Sequence, residues 1–124
     1  MLFRSFEGGA KLTQQGTVVG SLTYIAPERL RGEPTDGRAD LYAIGIILFE
    51  LLVGEPPFLA EDDLELIDLQ VNAAPPRLRE LDPEMPQQLD DVIARALEKD
   101  PARRFQDASA MARALEHAAQ LLAH

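Results

Sequence analysis

The sequence predicts an all-α fold, with a loop-rich N-terminal third followed by about four helices. Three observations carry that class. Residues 39–53 form a helix-compatible run, with Gly54 placed to cap its end and Pro56-Pro57 to forbid its continuation. Two later stretches repeat apolar residues at helical spacing on one side only. Residues 1–38, in contrast, hold no sustained helical period and are dense in Gly, Thr, Pro and Arg, as a long loop would be.

Taken in order, the first segment is punctuated by Gly8-Gly9 and Gly16 and reads as an extended loop. A loop this long in a compact domain is usually either functional or disordered. Order is expected to begin at Ala39-Asp40. In the run to Val53, Leu41, Ile44, Ile47, Leu48, Leu51 and Leu52 make one face, while Tyr42, Ile46, Phe49 and Val53 add apolar groups to the others. A helix apolar all round is expected to be buried all round. The length of the run and its few Val and Ile residues favour helix over a buried strand.

A shorter amphipathic helix is expected near residues 62–70, with an acidic first turn that suits the helix dipole. Residues 72–85 carry Pro75, Pro76 and Pro83 and read as an irregular connection. Pro86 then suits the first turn of a helix over 86–98, where Leu89, Val92, Ile93, Ala96 and Leu97 line one side and Asp100-Pro101 ends the element. The last helix, 107–122, has Asp107 as its N-cap and presents Ala108, Met111, Leu115, Ala118 and Leu122 on one face. No repeat or low-complexity segment interrupts this order. The chain divides into a loop segment, 1–38, and a helical subdomain, 39–124.

Composition narrows the function. The 124 residues hold 12 Lys and Arg against 21 Asp and Glu, a net charge of −9. Length and apolar content suit one globular domain. A nucleic-acid or anionic-membrane binder would need a basic face, so neither partner is expected. The absence of cysteine excludes disulfides, thiolate chemistry and Cys-ligated zinc. His117 and His124 near the C-terminus leave little for a His-based catalytic site or a metal cluster. The acid is concentrated: ten acidic residues against two basic ones lie between Glu61 and Asp91. That segment reads either as a solvated surface or as a docking face for a basic partner. The N-terminal sequence has no signal-peptide pattern, and Leu41–Val53 is too short to span a bilayer and carries Glu50. A cytoplasmic location is expected.

Four motifs then sharpen the reading. Gly20-Ser21-Leu22-Thr23-Tyr24-Ile25-Ala26-Pro27-Glu28 resembles the Gly-Thr-x-x-Tyr-x-Ala-Pro-Glu end of the activation segment in serine/threonine protein kinases. Asp40-Leu41-Tyr42-Ala43-Ile44-Gly45 is similar to that family's Asp-x-Tyr/Trp-Ser/Ala-x-Gly start of the large central C-lobe helix. Gly54-Glu55-Pro56-Pro57-Phe58 resembles the turn that follows it. Leu97-Glu98-Lys99-Asp100-Pro101-Ala102-Arg103-Arg104-Phe105 resembles the Leu-x-Lys-Asp-Pro-x-x-Arg segment before the last helix. In this order and spacing over residues 11–118 they make the chain similar to bacterial eukaryotic-like (Hanks-type) kinases, as a C-lobe fragment from the activation segment onward. An unrelated helical domain with chance motifs is the bland alternative.

The resemblance implies roles for particular residues. Glu28 and Arg104 are expected to form a bidentate ion pair that pins the activation segment to the helical base. Asp40 would accept backbone N–H groups of the catalytic loop in a complete kinase, or is a plain first-turn acid. Gly20, Ser21, Leu22, Thr23, Tyr24, Ile25 and Ala26 would wall the pocket for the substrate residue after the phosphoacceptor, with Ser21 keeping the hydroxyl of the family's Thr. Thr13 and Thr17 are candidate phosphosites or merely solvated, and Gln15 stands where relatives often carry another Thr.

Phosphoryl transfer needs a Gly-rich loop, a strand Lys with its helix Glu, a His-Arg-Asp loop and Asp-Phe-Gly. None occurs in these 124 residues, and neither Lys11 nor Lys99 has a Val-Ala-x-Lys context. The resemblance thus implies ATP and Mg²⁺ for a complete member only, and no catalytic, cofactor or metal residue in this chain, which is expected to be inactive alone. A non-catalytic interaction module is the alternative. Exposing a few large side chains of the central helix forfeits about 1.5–3 kcal/mol each, and a buried Asp40 without donors costs roughly 1–3 kcal/mol. Self-association, a complementary kinase N-terminal half, or a protein substrate are the expected partners.

Overall fold

The structure, a computed structural model, describes residues 11–12, 18–19 and 21–122. Two short antiparallel strands, β1 (Lys11–Leu12) and β2 (Val18–Val19), pair Lys11 with Val19 and Leu12 with Val18. A 3₁₀ turn over Ser21–Tyr24 leads into the one-turn helix α1 (Pro27–Leu30). Then follow α2 (Gly37–Val53), α3 (Asp63–Asn72), the one-turn α4 (Leu78–Leu81), α5 (Gln87–Ala96), a 3₁₀ turn over Pro101–Arg103, and α6 (Ala108–Leu122). The molecule is helical, as the sequence predicts; the β1–β2 ladder and α1 lie within the expected loop.

Helix boundaries follow the caps. The central helix begins at Gly37, two residues before the expected start, because Asp36 caps it: the Asp36 carboxylate accepts the Arg38 amide at 2.9 Å, and Asp40 falls in the first turn. It ends at Gly54, whose φ of 93° is a left-handed conformation that other residues adopt only at a cost. Asp62 caps α3 by accepting the Glu65 amide at 2.8 Å, and Asp107 accepts the Ala110 amide at 2.8 Å at the start of α6. Pro86 sits one position outside α5 instead of in its first turn, and α5 stops at Ala96.

Within the expected irregular connection, α4 forms because Asp90 gives it an anchor. The buried Asp90 carboxylate accepts the Leu78 amide at 2.9 Å and the Arg77 Nε at 3.2 Å, and Leu78 is driven fully into the core. Sequence periodicity could not show this, since the partner lies twelve residues downstream.

Helix α2 is the axis of the fold. It packs on α5, α4, α6 and the 21–24 turn, while α3 covers α1 and the same turn. Tyr42, Ile46 and Phe49 join Tyr24, Ala26, Leu78, Ile93 and Leu97 in one core; Leu41, Val92, Ala96, Phe105 and Met111 form a second. Gly45 lets α2 and α5 approach closely: a Cβ there would lie 2.9 Å from the Ala96 Cβ and 3.0 Å from the Leu97 Cδ2.

The expectation that α2 is buried on every side is overturned. Ile44, Leu51 and Leu52 are 42%, 70% and 38% exposed. Ile44 and Leu51, seven residues apart, share one side of the helix, while Leu52 lies in its last turn, nearer the side of Gly45. The element is apolar nearly all round, but the described residues cover the Ile44–Leu51 side only in part.

Candidate functional site

The arrangement around Glu28 starts from local chain geometry. Pro27 at the first turn of α1 has no N–H to satisfy and fixes its own φ. Glu28, next along, is thereby turned inward and is 3% exposed. From the other end of the chain, Asp100 caps the Pro101–Arg103 turn by accepting the Ala102 amide at 2.9 Å, so that Arg104 leaves the turn pointing into the core.

The two meet as a fork. Arg104 Nη1 and Nη2 donate to Glu28 Oε2 and Oε1 at 2.7 and 2.8 Å. Its Nε donates to the Glu98 carbonyl at 2.7 Å, and the remaining protons reach the carbonyls of Arg38 and Lys99, both at 3.2 Å. Every guanidinium donor is used, and the group lies over the Tyr42 ring at 4.9 Å from its centroid. Burial opposes ionisation of Glu28, yet the Arg104 hydrogen bonds and charge outweigh it and hold the carboxyl below its ordinary value. A buried pair of this kind is costly to desolvate and more costly to break from one side. Here one side chain ties α1, the start of α2 and the 98–104 segment together.

The turn before α1 is held by different groups. Tyr24 is buried and its hydroxyl donates to Glu50 Oε1 at 2.8 Å; burial, that bond and the Glu50 charge all raise its pKa. Gln70 of α3 donates from Nε2 to the carbonyls of Leu22 at 3.1 Å and Thr23 at 2.6 Å, and its Oε1 accepts from the Tyr42 hydroxyl. Lys99 Nζ donates to the Gln70 carbonyl at 2.7 Å and to the Leu69 carbonyl at 3.3 Å, and sits 4.4 Å from the Phe58 ring centroid. Burial, with the Arg104 and Arg31 charges, brings the Lys99 pKa down to about 8.

Other residues singled out from the sequence are placed differently. Asp40 is not buried: its side chain is 71% exposed and faces Arg29 at 3.7 Å. No described segment brings backbone N–H groups to it, so the cost expected for a buried, donor-less carboxylate does not arise. Leu22, Thr23, Tyr24, Ile25 and Ala26 form one continuous piece, all at least partly buried. Thr13, Thr17, Gly20 and the Ser21 side chain lie outside the described residues. Gln70 had no role in the sequence reading, and Glu50 and Lys99 were assigned none in holding the 21–26 loop. A signal for Gln70 did exist, because it falls four residues after Leu66 on the buried face of α3.

Comparison with known proteins decides the family. The protein kinase domain profile matches residues 5–119. The chain belongs to the protein kinase domain family. Among similar kinases, PknF of Mycobacterium tuberculosis is 42% identical over 106 residues, covering 86% of this chain and 22% of that protein. PknB of Mycolicibacterium smegmatis is 38% identical over 105 residues, covering 83% of this chain and 16% of its own length. A probable serine/threonine-protein kinase of Streptomyces coelicolor is 36% identical over 105 residues, 85% of this chain and 16% of that one. The solved PknI kinase domain of Mycobacterium tuberculosis superposes with a TM-score of 0.60 at 35% identity, covering 77% of this chain and 34% of the PknI chain. This chain of the kinase family therefore spans only a minor part of each relative, and its helical fold corresponds to part of a solved kinase domain.

Proposed function

We propose that these residues form the substrate-facing and structural half of a serine/threonine protein kinase domain, the C-lobe from the activation segment onward, and that they perform no phosphoryl transfer by themselves. The observation that carries the reading is the buried Glu28–Arg104 fork. It joins the Ala-Pro-Glu turn to the helical base across 76 residues of sequence. Residues 21–26, held between α2 and α3, are read together with Gly20 of the sequence motif as the wall that meets the substrate residue after the phosphoacceptor.

The residues present do not fit ATP or Mg²⁺. No His-Arg-Asp or Asp-Phe-Gly sequence occurs among the 124 residues. Both Glu28 and Asp40 face arginines, and no cluster of three or more His, Asp or Glu among the described residues could hold a metal ion. No step of the reaction is therefore assigned to them; what they do is orient one loop and support it. A protein substrate fits this reading, as does a cytoplasmic location; no helix of the described residues is long and apolar enough to cross a membrane.

The test is an ATP titration and an autophosphorylation assay on the purified chain, with a serine peptide series varied at the following residue. The reading predicts no magnesium-dependent ATP affinity, no incorporated phosphate, and weak peptide binding that depends on the varied residue. Measurable phosphate incorporation would overturn the inactive assignment, and binding indifferent to that residue would overturn the loop assignment.

One observation favours a second reading, an interaction module. Leu51, with the half-covered Ile44 on the same side, leaves an apolar strip on α2 open in part, and fully burying a side chain such as Leu51 is worth about 1.5–3 kcal/mol. Either self-association or a complementary kinase N-terminal half would cover it. Size exclusion with light scattering distinguishes this reading: a concentration-dependent increase in mass supports it, and a monomer with a sharp thermal transition argues against it.

A further inference from the structure

We propose that Gln70 of α3 is the positioning residue for the 21–26 loop, setting the height of the surface that would meet the substrate residue after the phosphoacceptor. The proposal rests on the substrate-wall reading above for its functional meaning, but the positioning itself is a property of the chain. Gln70 is 1% exposed. Its side-chain amide has three simultaneous tasks: two donations, to the Leu22 and Thr23 carbonyls at 3.1 and 2.6 Å, and one acceptance from the Tyr42 hydroxyl.

That combination selects the residue type. A carboxylate accepts but cannot donate, Lys and Arg donate but cannot accept, and an apolar side chain does neither. Asn has the right group on a stem one methylene shorter. Each task left undone strands a buried polar group. Gln70 is itself held from behind. Lys99 Nζ donates to its main-chain carbonyl at 2.7 Å and lies against Phe58, which packs with Leu66 of α3. The path from base to loop thus runs from the 97–104 segment through Lys99 and Gln70 to Leu22 and Thr23. It meets the Glu28–Arg104 fork at the base, where Arg104 Nη2 donates to the Lys99 carbonyl at 3.2 Å and the guanidinium lies over Tyr42. It ends on Leu22 and Thr23, however, whereas the fork ends on Glu28 of α1. With both in place, the loop is fixed at its start by α3 and at its end by the base.

Hydrogen exchange read by mass spectrometry on the full chain tests this. In Gln70→Met, protection at 21–26 is expected to fall at least tenfold relative to any change in α5 and α6. In Gln70→Glu, the ionised carboxyl faces two carbonyls, so the same loss is expected at pH 8. At pH 5 the introduced carboxyl, its pKa raised by burial, regains one proton to donate, and protection at 21–26 should recover in part. The methionine variant should show no such recovery. Equal loss of protection in the loop and in α5 and α6 for both variants, with no recovery at low pH, would mean that Gln70 only stabilises the fold and would overturn the proposal. Unchanged protection at 21–26 would overturn it equally. None of these outcomes needs kinase activity, so the substrate-wall reading fails or survives separately, in the peptide experiment.

Discussion

The inner and outer surroundings of α2 are opposites. On the inner side, Arg104 spends every donor, Glu28 is paired on both oxygens, and no buried side-chain polar atom among the described residues lacks a partner. On the outer side, Leu51 is 70% exposed, in line with Ile44 at 42%. The same helix is therefore finished on one side and open on the other. Satisfied polar burial on the inner side specifies one arrangement, because each member of the network depends on the rest. The open apolar side specifies only that something must cover it. The difference teaches where substitutions will be felt.

The largest expected effect comes from breaking the fork. Arg104→Met leaves Glu28 buried without a counter-charge and should cost about 3–5 kcal/mol, read by chemical denaturation. A loss below about 1 kcal/mol would mean that the guanidinium is not the tie between α1 and the base.

Next comes Gly45→Ala. Overpacking costs typically about 1–3 kcal/mol, because the new Cβ meets the Ala96 Cβ at 2.9 Å. Alanine's better helix propensity returns about 1 kcal/mol. A net loss of about 1 kcal/mol is expected, and a gain would show that α2 and α5 are not so close.

The acid limb of stability gives a third, smaller effect. The Glu28 pKa is lowered in the folded chain, so its contribution is fully present above its ordinary value of 4.5 and is lost as pH falls below it. Thermal melts should fall steeply below pH 4.5 in the parent and less so in Glu28→Gln, which has already lost the charge. Parallel acid limbs would remove Glu28 from the account of acid unfolding.

The smallest effects belong to the outer side. Leu51→Gln should change monomer stability by no more than about 0.5 kcal/mol, while reducing any concentration-dependent association seen by light scattering. Association unchanged by this substitution would move the contact away from the α2 strip.

Much of this contrast was legible beforehand. Arg104 and Glu28 stand in motifs whose resemblance to the kinase family implies a pair, and the Asp107 cap, the Gly54 stop and the α5 face follow from local rules of helix chemistry. What local rules could not reach were long-range events. Asp90 makes a helix of Leu78–Leu81 from a distance. Asp36 moves the start of α2, because a capping residue competes with the first apolar one. The Gln70 junction joins three elements that no periodicity relates. Nor does the apolar pattern of α2 distinguish a side covered by its own chain from a side left open; composition records a demand for burial, not who meets it.

The central claim is that the activation-segment end and the helical base are one mechanical unit through Glu28 and Arg104. A double-mutant cycle on the full chain, with Glu28→Gln, Arg104→Met and the pair, measures it by denaturant unfolding. The account predicts that the double variant loses far less than the sum of the singles, with a coupling of about 2 kcal/mol or more. Losses that add to within about 0.5 kcal/mol would contradict it.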